Sequence, residues 1–242
     1  MSSETPLKEE RAVLAVINHS ERFSSDDAER ATAACAKQLK VHVAPLWGMV
    51  PVPVVFYRDH RRVPERADLM VIVDDARQAQ ILGYHAYTPA GKPYGRVFAS
   101  PVLDQRGRPL RGTNSVSVTL SHEVCEWFVD PRVNLWASHQ GGWEVAIELC
   151  DPVQDGSYEL DGVSVSNFVT RSYFDPYAGR GTKLDYLGKL RMPFSMTSGG
   201  YVIRRRGGTV REIAGDRYPA WKKKTKRFPA SRTAKRKATP AR

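Results

Sequence analysis

Cysteine is scarce in this chain of 242 residues. Its three cysteines, Cys35, Cys125 and Cys150, cannot all pair, and their wide spacing suits neither a disulfide framework nor a Cys-x-x-Cys metal site. Reduced and mostly buried thiols are expected, with Cys125 acting as a small filler of core space. Long apolar runs are missing too. No stretch approaches the roughly 20 apolar residues that a membrane span needs. The first residues lack a basic segment leading into an apolar one, so a cytoplasmic protein without a membrane partner is expected. Acidic residues are absent between Trp221 and Arg242, where ten lysines and arginines lie; these ten account for all but one of the formal net charge of +11. The overall basicity is therefore a property of the tail, and the first 220 residues are electrostatically ordinary.

What is present is a hydrophobic fraction of 41%, enough for a sizeable core. Residues 12–18 form an apolar run of strand length. Ser24 to Asp27 then offer cap residues for a helix reaching about Lys40, with Ala28, Ala31, Ala34, Cys35 and Leu39 on one face. Val41 to Leu46 reads as a second strand, the Pro51 and Pro53 segment up to Tyr57 as an edge piece, and Leu69 to Val73 as a buried strand. Asp74-Asp75 would begin a short helical turn through Gln80. Between Gly83 and Phe98, the Pro89-Ala-Gly-Lys-Pro93 sequence marks a turn joining two strands. After residue 150 the chain is rich in Gly and Asp-Gly or Asp-Pro pairs, which predicts loops and short strands. The basic tail has hardly any large apolar residues and reads as disordered.

The segment Thr119-Leu-Ser-His-Glu-Val-Cys-Glu-Trp-Phe-Val-Asp130-Pro131 carries the chemistry. Thr113 to Ser115 offer a cap, and the residue before Pro131 is pushed out of helical conformation, which predicts a helix of about four turns. His122 and Glu126, four apart, project from one face and can share one ion. Glu123, beside them, is placed to take a proton from a water that a metal has activated. Apolar neighbours (Val118, Leu120, Val124, Trp127, Phe128) imply a buried helix, in which three ionisable groups are costly unless paired or metal-bound.

A third ligand must come from another segment, and Trp143 to Pro152 is the best source. Glu148 is favoured whether that segment is helical or extended. Asp151 would hold His122 through its other ring nitrogen or serve as an alternative ligand, as would Glu144. His85 could be a ligand or a substrate contact, and Tyr158 and Tyr173 could stabilise an oxyanion, with Tyr158 a candidate substrate contact, although a hydrogen-bonded turn histidine and packing tyrosines are the plainer assignments.

His122-Glu123-x-x-Glu126 resembles the His-Glu-x-x-His helix of the zincin metallopeptidases, and Glu148-x-x-Asp151 is similar to the third-ligand element of their gluzincin branch. The wider run, with Asp130-Pro131, Glu148-Leu-Cys-Asp151-Pro152-Val and Val165-Ser-Asn-Phe-Val169, also resembles metallopeptidases of bacteria and their phages. The resemblance spans roughly residues 80 to 200. It implies an α+β fold with a zincin-like mixed β-sheet, a covering helix and an active-site helix, followed by a loop-rich region and the disordered basic tail. The metallohydrolase domain would occupy residues 1–220, with its sheet-rich part at about 1–112 and the active-site helix and third-ligand region at about 113–200; residues 221–242 form the tail. Val97 to Val102 stands where zincins have an edge strand that binds extended peptide, an ordinary interior strand being the alternative.

The resemblance implies a metal-dependent peptidase acting on peptide or protein, with Zn2+ bound by His122, Glu126 and Glu148 and with Glu123 as general base. One departure stands out: Glu126 replaces the second histidine, so the site has oxygen-rich ligation, which also suits Mn2+ or Fe2+ and makes the ion a weaker Lewis acid. The competing expectation is a noncatalytic phage-related structural or nucleic-acid-associated protein, virion-associated, with a vestigial metal site. In it Lys222, Lys223, Lys224, Lys226 and Arg227 contact nucleic acid or an acidic partner.

Overall fold

A computed structural model describes residues 13–75, 81–218 and 236. The first apolar run forms β1 (Leu14–Asn18), whose first four residues are buried. A strand covered on both faces of a parallel sheet takes such a continuous run. In α1 (Ser25–Gln38), the Ser24 side chain accepts from the Asp27 amide at 3.1 Å, and Asp26 and Asp27 lie at the positive end of the helix dipole.

The strand expected from Val41 to Leu46 is instead helical. The chain runs on through a π-helical turn, Leu39–Val43, into α2 (Ala44–Trp47), which ends at Gly48 in left-handed conformation. Leu39, Val43 and Trp47 recur every fourth residue and all three are buried, so a helical period overrides the β-branched composition. Pro45 sits in the first turn, where its missing N–H costs nothing.

Next come β2 (Val54–Phe56), β3 (Asp68–Val73) and the hairpin of β4 (Gly83–Tyr87) with β5 (Pro93–Phe98), as the turn residues imply. Of the helical turn expected from Asp74 through Gln80, Asp74 and Asp75 are not helical and residues 76–80 lie outside the described part. A short α3 (Ala99–Asp104) and a loop lead into α4 (Val116–Val129). These strands build a five-stranded sheet in the order β2-β1-β3-β5-β4, parallel throughout except where β4 runs antiparallel to β5. The outer strand on this side is therefore β4. Val97 and Phe98 end β5, which has a neighbour on each side, and the residues after them are helical.

The second half contributes β6 (Trp136–His139), β7 (Trp143–Ala146), β8 (Ser157–Leu160), β9 (Val163–Ser166), β10 (Tyr201–Arg206) and β11 (Thr209–Ala214). They form an antiparallel sheet ordered β11-β10-β7-β6 and a separate β8–β9 hairpin. Helix α4 packs on β4 and β5, on α1 and on β9, and a single apolar cluster runs from Leu14 to Phe168 through its buried side chains. The architecture is mixed α+β. Among the described residues no helix is long and apolar enough to cross a membrane. The tail expected at 221–242, with its five candidate contact residues from Lys222 to Arg227, lies outside the described residues. Arg236 is the exception, being both described and buried.

Candidate metal centre

Helix α4 begins where the Ser115 hydroxyl accepts from the Val118 amide at 3.3 Å. It ends at Asp130, whose amide still donates to the Glu126 carbonyl at 2.8 Å before Pro131 stops the helix. Thirteen of its fourteen residues are buried, and the exception is His122. The four-residue spacing brings His122 Nε2 to 3.1 Å from Glu126 Oε1. Asp151 Oδ1 approaches that same nitrogen, also at 3.1 Å, so Asp151 stands on the Glu126 side of the ring and not behind it as the sequence suggests. Burial by itself would lower the His122 pKa. The Glu126 carboxylate, with Cys150 and Asp151 adding to it, outweighs that and holds the imidazole well above its ordinary value. A cation on Nε2 needs the lone pair that this proton occupies, so the two exclude one another.

Glu123 lies on the sheet side. His85, from β4, is fully buried, with Nδ1 at 3.5 Å from Glu123 Oε2 and 3.8 Å from Glu126 Oε2. Its Nε2 donates to the Asp130 carbonyl at 3.1 Å, which turns Nδ1 towards two carboxylates. His85 is thus part of the acid cluster, grouped with Glu123 and Glu126. Gly83, also on β4, makes room: a Cβ there would lie 3.0 Å from Glu123 Cγ and Oε1 and from the Arg96 carbonyl.

The acidic stretch after β7 supplies the third side. Glu148 and Asp151 are buried, and the Cys150 amide donates to Glu126 Oε1 at 3.2 Å. Cys150 itself is a free thiol, its pKa raised by burial and by the neighbouring Cys125. Ligand atoms lie within 4.8 Å of one another in three groups: His122, Glu126 and Cys150; His85, Glu123 and Glu126; Glu126, Glu148 and Asp151. Glu126 belongs to all three. The trio expected from sequence does not form one such group: Glu126 is shared, but Glu148 is grouped with Asp151 and His122 with Cys150. Imidazole, carboxylate and thiol groups gathered at this spacing could hold a metal ion.

Two other candidates lie elsewhere. Glu144 points away on β7 and pairs with Arg205, whose Nη2 donates to Oε1 at 2.8 Å; that hydrogen bond lowers its pKa. The Tyr158 hydroxyl is engaged by Gln38 Nε2 at 3.2 Å and His42 Nδ1 at 2.9 Å, and its ring stacks on Tyr186.

Arg236 was not foreseen. Its Nη2 donates to Asp130 Oδ2 at 2.8 Å and its Nε to Glu148 Oε1 at 3.0 Å, so one guanidinium joins the end of α4 to the acidic stretch. Burial alone would lower its pKa, but Glu148 and Asp130 raise it, keeping the charge secure. In the sequence it is one of ten basic tail residues and nothing marks it out. Asp130 reads there as a helix stop, and its carboxylate also accepts from the amides of Asn134 and Leu135 at 3.0 and 2.9 Å. Comparisons with protein-family models, with curated proteins and with solved structures found no match to this chain.

Proposed function

We propose that this protein is a metal-dependent hydrolase, with a peptide or protein as substrate, whose centre is built around Glu126. The observation that carries the reading is the convergence of three separate groups of ligand atoms, each within 4.8 Å, on that one buried carboxylate. His122, Glu126 and an acid from Glu148 or Asp151 would hold the ion, and Cys150 is within the same reach. Zinc is the first choice, with Mn2+ or Fe2+ favoured by the carboxylate-rich donors. When bound, the ion supplies Lewis acidity that makes water a nucleophile near neutral pH.

The chain's own groups set the rest. Glu123 is grouped with Glu126 in the cluster and serves as the base, with His85 Nδ1 3.5 Å from its Oε2. Glu123, Glu126, Glu148 and Asp151 are all buried. A peptide in extended form would pair with the outer side of β4, which has a neighbour on one side only and whose Gly83 lies against Glu123. This helix-under-sheet arrangement is the zincin-like element of the proposal.

One observation favours a second reading. Arg236 pairs with both Glu148 and Asp130, and an ion-paired acid cluster of this kind can be a structural core in a noncatalytic protein. The same experiment separates the two. Elemental analysis of protein purified without an affinity metal should find about one transition-metal ion per chain, lost in His122→Ala. Glu123→Gln should keep the ion and lower peptide hydrolysis about 10²–10⁴-fold. Equal metal content in the wild type and His122→Ala, or none in either, removes the basis of the hydrolase reading.

A further inference from the structure

The guanidinium of Arg236 is met on every side by groups from a short, distant stretch of the chain. Beyond its bonds to Asp130 and Glu148, Nη1 donates to the Leu135 carbonyl at 2.9 Å and Nη2 approaches the Ile147 carbonyl at 3.4 Å. The Trp136 ring covers one face, 5.1 Å from Cζ to centroid. All five partners lie between residues 130 and 148.

That stretch is held in shape without Arg236. The Asp130 carboxylate is fixed by two amides of the following turn. The Ile147 amide donates to the Leu135 carbonyl at 3.1 Å, and β6 pairs with β7 in between. Trp136 is braced on its other contact by Arg205, 4.2 Å from its centroid, which Glu144 in turn holds. Two buried acids, two fixed carbonyls and an aromatic face match the planar, five-donor fork of an arginine and suit a lysine poorly. The occupant is separated from Asp130 by 106 residues and belongs to a low-complexity basic segment. A preformed cradle filled by a residue of such a segment is the geometry of a ligand bound in cis.

We propose that Asp130, Leu135, Trp136, Ile147 and Glu148 form an arginine-recognition site, occupied by Arg236 and able to take an arginine side chain of another basic polypeptide when Arg236 is absent. The site stands whether or not the neighbouring acid cluster hydrolyses anything. Sharing Glu148 with that cluster, it sets an arginine-bearing chain directly beside it.

The test is calorimetry on the full chain, without added metal, so that its outcome is independent of hydrolysis. The probe is N-acetyl-arginine amide; N-acetyl-citrulline amide, equal in shape but uncharged, is the control. Arg236→Ala should bind the arginine probe saturably and at least tenfold more tightly than the citrulline probe. The unaltered protein should bind the arginine probe at least tenfold more weakly than the variant does. Arg236→Lys, with a cation but no fork, should fall between them and replaces the alanine variant if that one does not fold. If neither folds alone, the arginine probe should restore folding and the citrulline probe should not. Absence of binding or rescue, equal response to both probes, or equal binding by variant and unaltered protein overturns the proposal.

Discussion

At the residue scale the centre depends on a place where a side chain is missing. Gly83 lets β4 lie close over Glu123, and a methyl group there would press at 3.0 Å on the carboxylate and on a backbone oxygen of β5. The carboxylate can yield, but the strand cannot without disturbing its ladder. Gly83→Ala should cost about 1–3 kcal/mol of stability, as overpacking of a tight site does, measured by urea unfolding. If Glu123 is the base, residual hydrolysis at temperatures where the variant is folded should fall as well. A stability unchanged within about 0.5 kcal/mol would show that the contact is relieved elsewhere.

The individual site residues were unequally legible. His122, Glu123 and Glu126 were readable because one helical turn fixes their mutual positions locally. Glu148 and Asp151 were readable as a nearby acidic stretch, but which nitrogen of His122 Asp151 meets depends on how two segments dock, and periodicity is silent on that. His85 gave only a weak signal, because a histidine on a strand next to glycine and tyrosine has many uses. Arg236 gave none: its role comes from a cradle some hundred residues away.

At the scale of elements, α4 is both scaffold and site, and its start is defined by one hydroxyl. Ser115 is buried and is the residue whose side chain satisfies an amide of the first turn. Ser115→Ala should destabilise the protein by about 1 kcal/mol in chemical denaturation, the usual effect of losing such a cap. A loss below about 0.3 kcal/mol would mean that Ser117, which shares the pocket at 3.1 Å, substitutes for it. The strands β1 and β3, the β4–β5 hairpin, α1 and α4 followed from runs, turns and caps in the sequence, whereas the second half was legible only as loops and short strands. The stretch from Leu39 to Trp47 did not, because valines and a proline argue for a strand locally. The decision belongs to the core into which Leu39, Val43 and Trp47 all face.

At the scale of the whole molecule, α4 packs against β4 and β5 of the mainly parallel sheet and against β9 of the separate hairpin, and the centre joins it to the acidic stretch that follows β7. The parallel sheet is also tied at its strand ends by Asp74, just after β3. Its carboxylate accepts from the Ser20 hydroxyl and from the amides of Glu21 and Arg22, the latter two at 2.8 and 3.3 Å. Partial burial pushes the Asp74 pKa up, but these bonds outweigh it and the net shift is downward. A carboxyl with a folded value below its unfolded value of about 3.9 contributes stability that is complete above that value and lost as pH falls through the folded one. Asp74→Asn should therefore lower Tm at pH 7, and the difference from the unaltered protein should shrink in melts below about pH 4. A difference that stays constant down to pH 2 would exclude this carboxylate as a source of acid sensitivity.

The long reach of Arg236 bears on the order in which the protein assembles. Hairpins such as β4–β5 close over a few residues, whereas the bond from Arg236 to Asp130 encloses 106 positions of chain, and closure over such lengths carries an entropic cost that slows it. Glu148 and Asp130 are the acids that this distant contact joins, whereas the stretch between them is held by bonds of its own. The charged heart of the fold is thus completed by a cation from far along the chain.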